Sequence, residues 1–168
     1  LFVEAIKMLH KKYNNWNFII IGSTYLGDNK IQSKFSSKVF SLIKSFGPNV
    51  KLTGYIPYQE VQSIIQKSEI LVAPSIWEEP FGLVVAEGMM YGCAIITTKK
   101  GGIPEIIKNN GIVMNSINAK KKKKKIEFLI KDQKFRKKIQ KAASINFTFT
   151  SSNSSKKLDD LRTRLIKI

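Results

Sequence analysis

Short apolar runs alternate along the first two thirds of the chain with longer segments in which apolar residues recur every three or four positions. The runs fall at 17–21 (Phe18-Ile19-Ile20-Ile21), 50–53 (Val50, Leu52), 70–73 (Ile70-Leu71-Val72-Ala73), 94–97 (Ala94-Ile95-Ile96) and 111–114 (Ile112-Val113-Met114). Runs this short, rich in β-branched residues and bounded by turn residues, read as strands. The intervening pattern predicts helices over 1–12, 31–46, 58–67 and 81–91, and a helical turn over 103–107 with Pro104 near its start. In the second helix the apolar positions are Ile31, Phe35, Val39, Leu42, Ile43 and Phe46, and Gly47-Pro48 ends it. Strands and helices alternating at this spacing give right-handed βαβ units. The expected fold is therefore α/β, an open, doubly wound, Rossmann-like parallel sheet. One domain is expected over 1–168, with a core at about 1–115 and basic helices over 116–168. Those last helices carry the apolar stripe Ile126, Leu129, Ile130, Phe135 and Ile139, then Leu158, Leu161 and Leu165.

Open α/β sheets bind ligands outside the carboxyl ends of their strands. Four loops lie at such ends: Gly22-Ser23, Gly54-Tyr55, Ser75 to Gly82, and Lys99 to Gly102. Glycine is needed in turns anyway, so Gly22 and Gly27 alone are weak phosphate-loop signals, and Gly54-Tyr55 serves equally as a plain strand exit. The stretch from Pro74 to Met89 carries more. Pro74 stops a strand, and a helix starting near Phe81 directs free backbone N–H groups and a positive dipole end toward the loop side. Phe81, Gly82, Leu83 and Val84 thus form a candidate backbone anion site, with Gly82 admitting a close approach. Leu83, Val84, Val85, Ala86, Met89 and Met90 make this helix apolar on almost every face, which predicts burial. It nevertheless carries Glu87, and no residue three or four positions away can neutralise it. A buried carboxylate without a partner is costly, so a partner is expected from another part of the fold or from a ligand. The plainer alternative is a half-solvated Glu87 at a helix rim. Glu79 is the second candidate, and the adjacent Glu78 reads as surface.

Charge and composition narrow the classes. The 168 residues carry a formal net charge of +17. Such a balance invites nucleic acid, an anionic membrane or an acidic substrate. Apart from Arg136, Arg162 and Arg164 the basic residues are lysines, which disfavours base readout, so no nucleic-acid partner is expected. Peripheral contact with an anionic membrane stays a candidate. The run Lys120 to Lys125 reads as a solvated, compositionally biased loop. His10, set among lysines, reads as a solvated helix end. Cys93 is the single cysteine and His10 the single histidine, so no zinc-type cluster is expected, no internal disulfide can form, and a cytoplasmic setting suits the chain.

Glu79 and Glu87, eight apart around Pro80-Phe81-Gly82-Leu83, resemble the signature of retaining glycosyltransferases of family 4, also called group 1. Tyr91-Gly92-Cys93-Ala94-Ile95-Ile96, Gly101-Gly102-Ile103-Pro104-Glu105 and Lys51-Leu52-Thr53-Gly54-Tyr55-Ile56-Pro57 resemble neighbouring family motifs in order and spacing. The resemblance covers roughly 1–115 and implies the nucleotide-sugar-binding, C-terminal half of a two-domain enzyme of the GT-B fold. It implies that Glu79 accepts hydrogen bonds from hydroxyls of the donor sugar and Glu87 from those of the ribose. Gly22 and Ser23 would line the donor cleft, Gly54 and Tyr55 would hold the base, and Ser75 with Phe81 to Val84 would complete the donor contacts. Glu105 is a weaker candidate. The implied donor is a nucleoside-diphosphate sugar, with no metal and no further cofactor, and the implied acceptor is a polysaccharide, lipopolysaccharide or glycolipid. The acceptor-binding N-terminal domain is the implied partner. That domain is absent from this sequence, as are a Gly-Arg loop and a Lys that contact the diphosphate in relatives. The chain alone is therefore expected to have little or no transferase activity. Competing readings are an epimerase-like enzyme of the same architecture and a non-catalytic basic interaction module.

Overall fold

The computed structural model of the chain describes residues 2–23, 34–115 and 118–166. All strands are parallel, as the alternating pattern predicts. β1 (Phe18–Ile20) pairs with β2 (Val50–Leu52), placing Phe18 opposite Val50. β3 (Ile70–Ala73), β4 (Ala94–Thr98) and β5 (Ile112–Met114) form a second sheet in the order β3-β4-β5, with Leu71 opposite Ile95 and Ile96 opposite Ile112. The single parallel sheet expected from the sequence is thus divided: among the described residues no ladder joins β1 to β3.

β4 is the axis of the core, buried along its whole length. Side chains alternate across a strand, so Ile95 faces one way and Ala94 and Ile96 the other. On the first face Ile95 joins Val85 and Met89 of α4 (Leu83–Met90), Ile65 of α3 (Tyr58–Gln66) and Ile107 of α5 (Ile103–Ile107). On the second, Ala94 and Ile96 join Ala5 of α1 (Phe2–Lys7) and Ile126 and Leu129 of α6 (Ala119–Lys131). Helices cover both faces, which is what doubly wound means. Fully burying an isoleucine contributes about 1.5–3 kcal/mol, so truncating Ile95 or Ile96 to alanine removes a large part of a marginal stability.

Several local expectations shift. α2 spans Lys34–Lys44; Gly27 and Ile31 lie outside the described residues. Ile43 is buried and Val39, Leu42 and Phe46 are half-buried, as expected, but Phe35 is 77% exposed and Ser36 is buried beside it. His10 is buried rather than solvated, because its ring stacks on Phe46 at 4.8 Å and burial lowers its pKa. The lysine run is helical: Asn118 Oδ1 accepts from the amides of Lys120 and Lys121, capping α6, and Lys122 is buried. Asp132 divides the basic tail by capping α7 (Gln133–Ile145), accepting from Phe135 N at 2.8 Å. α8 (Ser151–Ile166) buries no residue.

One ion cluster ties α6 to the turn after α1. Glu127 accepts from Lys12 Nζ at 2.7 Å, from Tyr13 Oη at 2.8 Å and from Lys123 Nζ. These hydrogen bonds, Lys12 first, hold its carboxyl down from 4.5 to about 2. A carboxylate depressed in the folded state stabilises above its unfolded pKa, and that contribution disappears as pH falls through the folded value. The melting temperature of wild type should therefore exceed that of Glu127→Gln at pH 6, with the gap closing between pH 4.5 and about 2. A gap independent of pH would contradict the assignment.

Candidate functional site

The site is built where β3 gives way to α4. Pro74 follows the strand, and the chain loops through 74–82 before turning into the helix. The helix starts at Leu83, two residues after the expected start at Phe81, with Gly82 as its N-cap at φ 90° and no side-chain cap. Val85 N and Ala86 N donate to Gly82 O, whereas Leu83 and Val84 precede the first intrahelical acceptors. Their amides, on the dipole's positive end, are the anion-binding part of the predicted set. Phe81 lies ahead of the helix, its ring edge-on to Phe149 at 5.3 Å. The close approach that Gly82 permits is also different from the one expected. A Cβ there would stand 2.9 Å from Ile103 Cγ1, so the glycine admits α5.

Glu79 is half-buried and held from several sides. Ser75 Oγ donates to Glu79 Oε1 at 2.7 Å, and Thr98 Oγ1 at the end of β4 donates to Ser75 O at 2.6 Å. Gly102 N donates to Glu79 O at 2.8 Å. Glu78 is at the surface, as read from sequence, and from there clasps the opposite loop, accepting from Gly101 N at 2.6 Å and Lys100 Nζ at 2.7 Å. Those bonds, the Lys100 one first, hold its pKa below the usual carboxylate value. The β4–α5 loop is thus fastened against the β3–α4 loop, and Glu79 sits on the fastened part. A carboxylate offers about four acceptor positions, so one bond from Ser75 leaves Glu79 capacity for ligand hydroxyls.

Glu87 is half-buried, the plainer of the two alternatives, and a partner does come from another part of the fold: Tyr58 Oη, at the start of α3, donates to Glu87 Oε1 at 2.5 Å. That hydrogen bond raises the tyrosine's pKa. The helix around it is not buried on every side, since Leu83 is 69%, Met90 41% and Val84 38% exposed. Val85, Ala86 and Met89 make the core face; Leu83, Glu87 and Met90 share an open one. The apolar composition misled because the open face is apolar too.

The exits of β1 and β2 are brought together. Gly22 N donates to Gly54 O at 3.2 Å, an isolated bridge beyond the ladder, with Ser23 next to it. Tyr55 follows, 48% exposed. Glu105 is exposed on α5. Tyr58 and Thr98 were missed by sequence reasoning. Tyr58 had a faint signal, being the first residue of a helix that leaves one of the candidate loops. Thr98 had none, because its role depends on the register of β4. Among the described residues no three His, Cys, Asp or Glu side chains gather as a metal site, and no helix is long and apolar enough to cross a membrane.

Residues 1–145 match the family model for glycosyl transferases group 1. The chain belongs to that family. A glycosyltransferase of Methanocaldococcus jannaschii, MJ1178, itself uncharacterized, is 32% identical over 139 residues, covering 82% of this chain and 36% of the relative. The crystal structure of the C-terminal domain of a glycosyl transferase group 1 family protein, LpcC from Francisella tularensis, superposes with a TM-score of 0.73. It is 30% identical and covers 85% of this chain and 73% of that one. Anabaena HepE, solved in complex with UDP and glucose, superposes with a TM-score of 0.74 over 95% of this chain and 44% of its own, at 19% identity, which is a likeness of fold. The group 1 domain here is Rossmann-like and matches the C-terminal domains of GT-B glycosyltransferases. It spans less than half the length of the curated relatives it matches.

Proposed function

We propose that this domain binds the nucleoside-diphosphate sugar donor of a retaining, metal-independent family 4 glycosyltransferase. One observation carries the reading: the uncapped start of α4 lies between two carboxylates, Glu79 anchored by Ser75 before it and Glu87 on the helix's open face after it. The amides of Leu83 and Val84 suit a diphosphate. Glu79 takes hydroxyls of the sugar and Glu87 the paired hydroxyls of the ribose, a match for an acceptor-only group. Gly22, Ser23, Gly54 and Tyr55 bound the cleft on the base side. Transfer with retention forms the bond from the acceptor oxygen to the anomeric carbon on the face from which the nucleoside diphosphate leaves. The C–O bond to the phosphate breaks, and the departing phosphate takes the acceptor's proton. Stabilising charge on that phosphate is then the main contribution. The acceptor, by analogy of fold alone, is a polysaccharide, lipopolysaccharide or glycolipid.

Acceptor recognition on this reading belongs to an N-terminal domain, so the chain by itself should bind donor with little or no turnover. Isothermal titration of UDP, GDP and ADP, each with and without EDTA, tests the donor site; binding of at least one, unaffected by EDTA, is expected. Affinity that vanishes with EDTA would contradict metal independence, and a normal transfer rate by the chain alone would contradict the division of labour. The lysine-rich α6 and α7 are the proposed face toward anionic membrane on the cytoplasmic side, where each Lys near the surface adds about 1 kcal/mol. Co-sedimentation with anionic but not neutral vesicles is the expected result; equal recovery with both would remove that role.

A further inference from the structure

Phe128 stands where the pattern of α6 calls for a polar residue. The helix turns Ile126 and Leu129 into the core, and its opposite face is open to water. On that open face the residues three and four positions from Phe128 are Lys124, Lys125, Lys131 and Asp132, with Lys121 one turn further back. The four lysines are exposed, and Phe128 itself is 42% exposed. Single exposed apolar side chains are ordinary. An aromatic ring at the centre of a lysine face is a more specific arrangement.

The ring has support from the next helix. It leans on Phe135 of α7, with centroids 5.1 Å apart and planes at 55°, and the exposed Lys134 and Lys138 lie beside Phe135 along the chain. The acids within 119–145, Glu127 and Asp132, are both engaged elsewhere. Glu127 accepts from Lys12, Tyr13 and Lys123, and Asp132 caps α7 by accepting from Phe135 N. Among the described residues none of the lysines around the two rings forms an ion pair. The result is a pair of aromatic rings set in uncompensated positive charge.

We infer that Phe128, backed by Phe135, is an apolar wedge that enters the interfacial layer of an anionic lipid surface while the surrounding lysines hold its headgroups. The inference rests on the membrane-facing role proposed above, which invokes charge alone, and gives that role a point of insertion. Lysine suits the arrangement, because its stem covers apolar surface while its ammonium stays in water. A single apolar group anchors a protein poorly; an apolar group combined with a basic patch anchors it well. Nucleic acid is the competing partner for aromatic rings among lysines. Lipid is favoured because base stacking needs an open ring face, and Phe128 lies tilted against the half-buried Phe135. The placement also serves the chemistry. Asn118, the cap of α6, follows the carboxyl end of β5 at Met114, and the donor site is built at the carboxyl ends of the strands. A lipid surface docked along α6 thus reaches the same end of the domain as the donor.

The test is co-sedimentation of the chain and its variants with vesicles of equal parts phosphatidylglycerol and phosphatidylcholine over a range of salt concentrations, with melting curves confirming that each variant is folded. Phe128→Ser should lower the partition coefficient about tenfold or more. It removes no charge, so that factor should be the same at every salt concentration. The double variant Lys124→Gln, Lys125→Gln should instead flatten the salt dependence. Phe35→Ser, which removes a more exposed ring from α2, should leave sedimentation unchanged. Failure of the wild-type chain to sediment would overturn the membrane-facing role and the wedge together. Sedimentation unaffected by Phe128→Ser would overturn the wedge and leave the charge-based role standing. Equal losses for Phe128→Ser and Phe35→Ser would overturn insertion at Phe128. A tighter, Phe128-dependent affinity for oligouridylate would assign the face to nucleic acid and overturn the lipid partner.

Discussion

Replacing Gly101 with alanine is expected to destabilise the domain by about 2–5 kcal/mol and to unfasten Glu79. The added Cβ would stand 2.0 Å from Glu79 O and 2.6 Å from Glu79 N, backbone atoms that no side-chain rotation can clear. Gly101 also adopts φ 51°, which costs an L-residue about 1–2 kcal/mol, and overpacking adds about 1–3 kcal/mol. For a chain of this size each kcal/mol lowers the melting point by about 2–4 °C, so a fall near 10 °C should appear in a thermal scan. The loop can relieve the clash only by releasing Gly101 N from Glu78 and Gly102 N from Glu79 O. Sugar-donor binding should therefore fall further than stability alone accounts for. A Gly101→Ala protein with wild-type melting and wild-type donor affinity would show that the two loops are not coupled.

The coupling of those loops illustrates what the sequence did and did not disclose. Parallel direction and the two-faced core were legible because Ile70 to Ala73 and Ala94 to Ile96 are apolar without interruption, the pattern of parallel strands buried on both faces. Phe81 continues the apolar periodicity and so reads as helix, whereas Gly82 at φ 90° breaks the backbone just after it and α4 begins at Leu83. Burial of α4 was overstated for a related reason. Composition counts Leu83 and Met90 as core, and only the packing of α5 and β4 decides which face is covered. His10 and Lys122 read as solvated because their sequence neighbours are lysines, yet the fold turns both inward. Tyr58 could not be paired with Glu87 from spacing, since the contact joins residues 29 apart through the meeting of α3 and α4. The division between β1 and β3 was invisible for the opposite reason: both strands carry the pattern of a continuous sheet.

Glu87→Ala should lower nucleoside-diphosphate affinity about a hundredfold while leaving the fold intact. Hydrogen bonds to a charged group contribute about 1.5–3 kcal/mol each, so losing a pair of ribose contacts corresponds to roughly 3 kcal/mol, and every 1.4 kcal/mol is tenfold. Glu87 lies on the half-open face of α4 and takes its hydrogen bond from the exposed Tyr58, so alanine creates no buried cavity. Tyr58→Phe removes a single hydrogen bond and should cost affinity less, by orienting Glu87 poorly. Glu79→Ala should leave affinity for the diphosphate alone unchanged and weaken only the sugar-bearing donor. That contrast separates the two carboxylates, and equal losses for both ligands would show that they do not divide the donor between them.

The most direct measurement is calorimetric titration of UDP, GDP and ADP into the wild-type chain and into Glu87→Ala, with melting curves confirming that both are folded. The donor-site account predicts binding of at least one nucleotide to wild type and an affinity about a hundredfold lower in the variant. Equal affinity in the two proteins would remove Glu87 from the site, and binding by neither would leave a basic module whose cleft is idle.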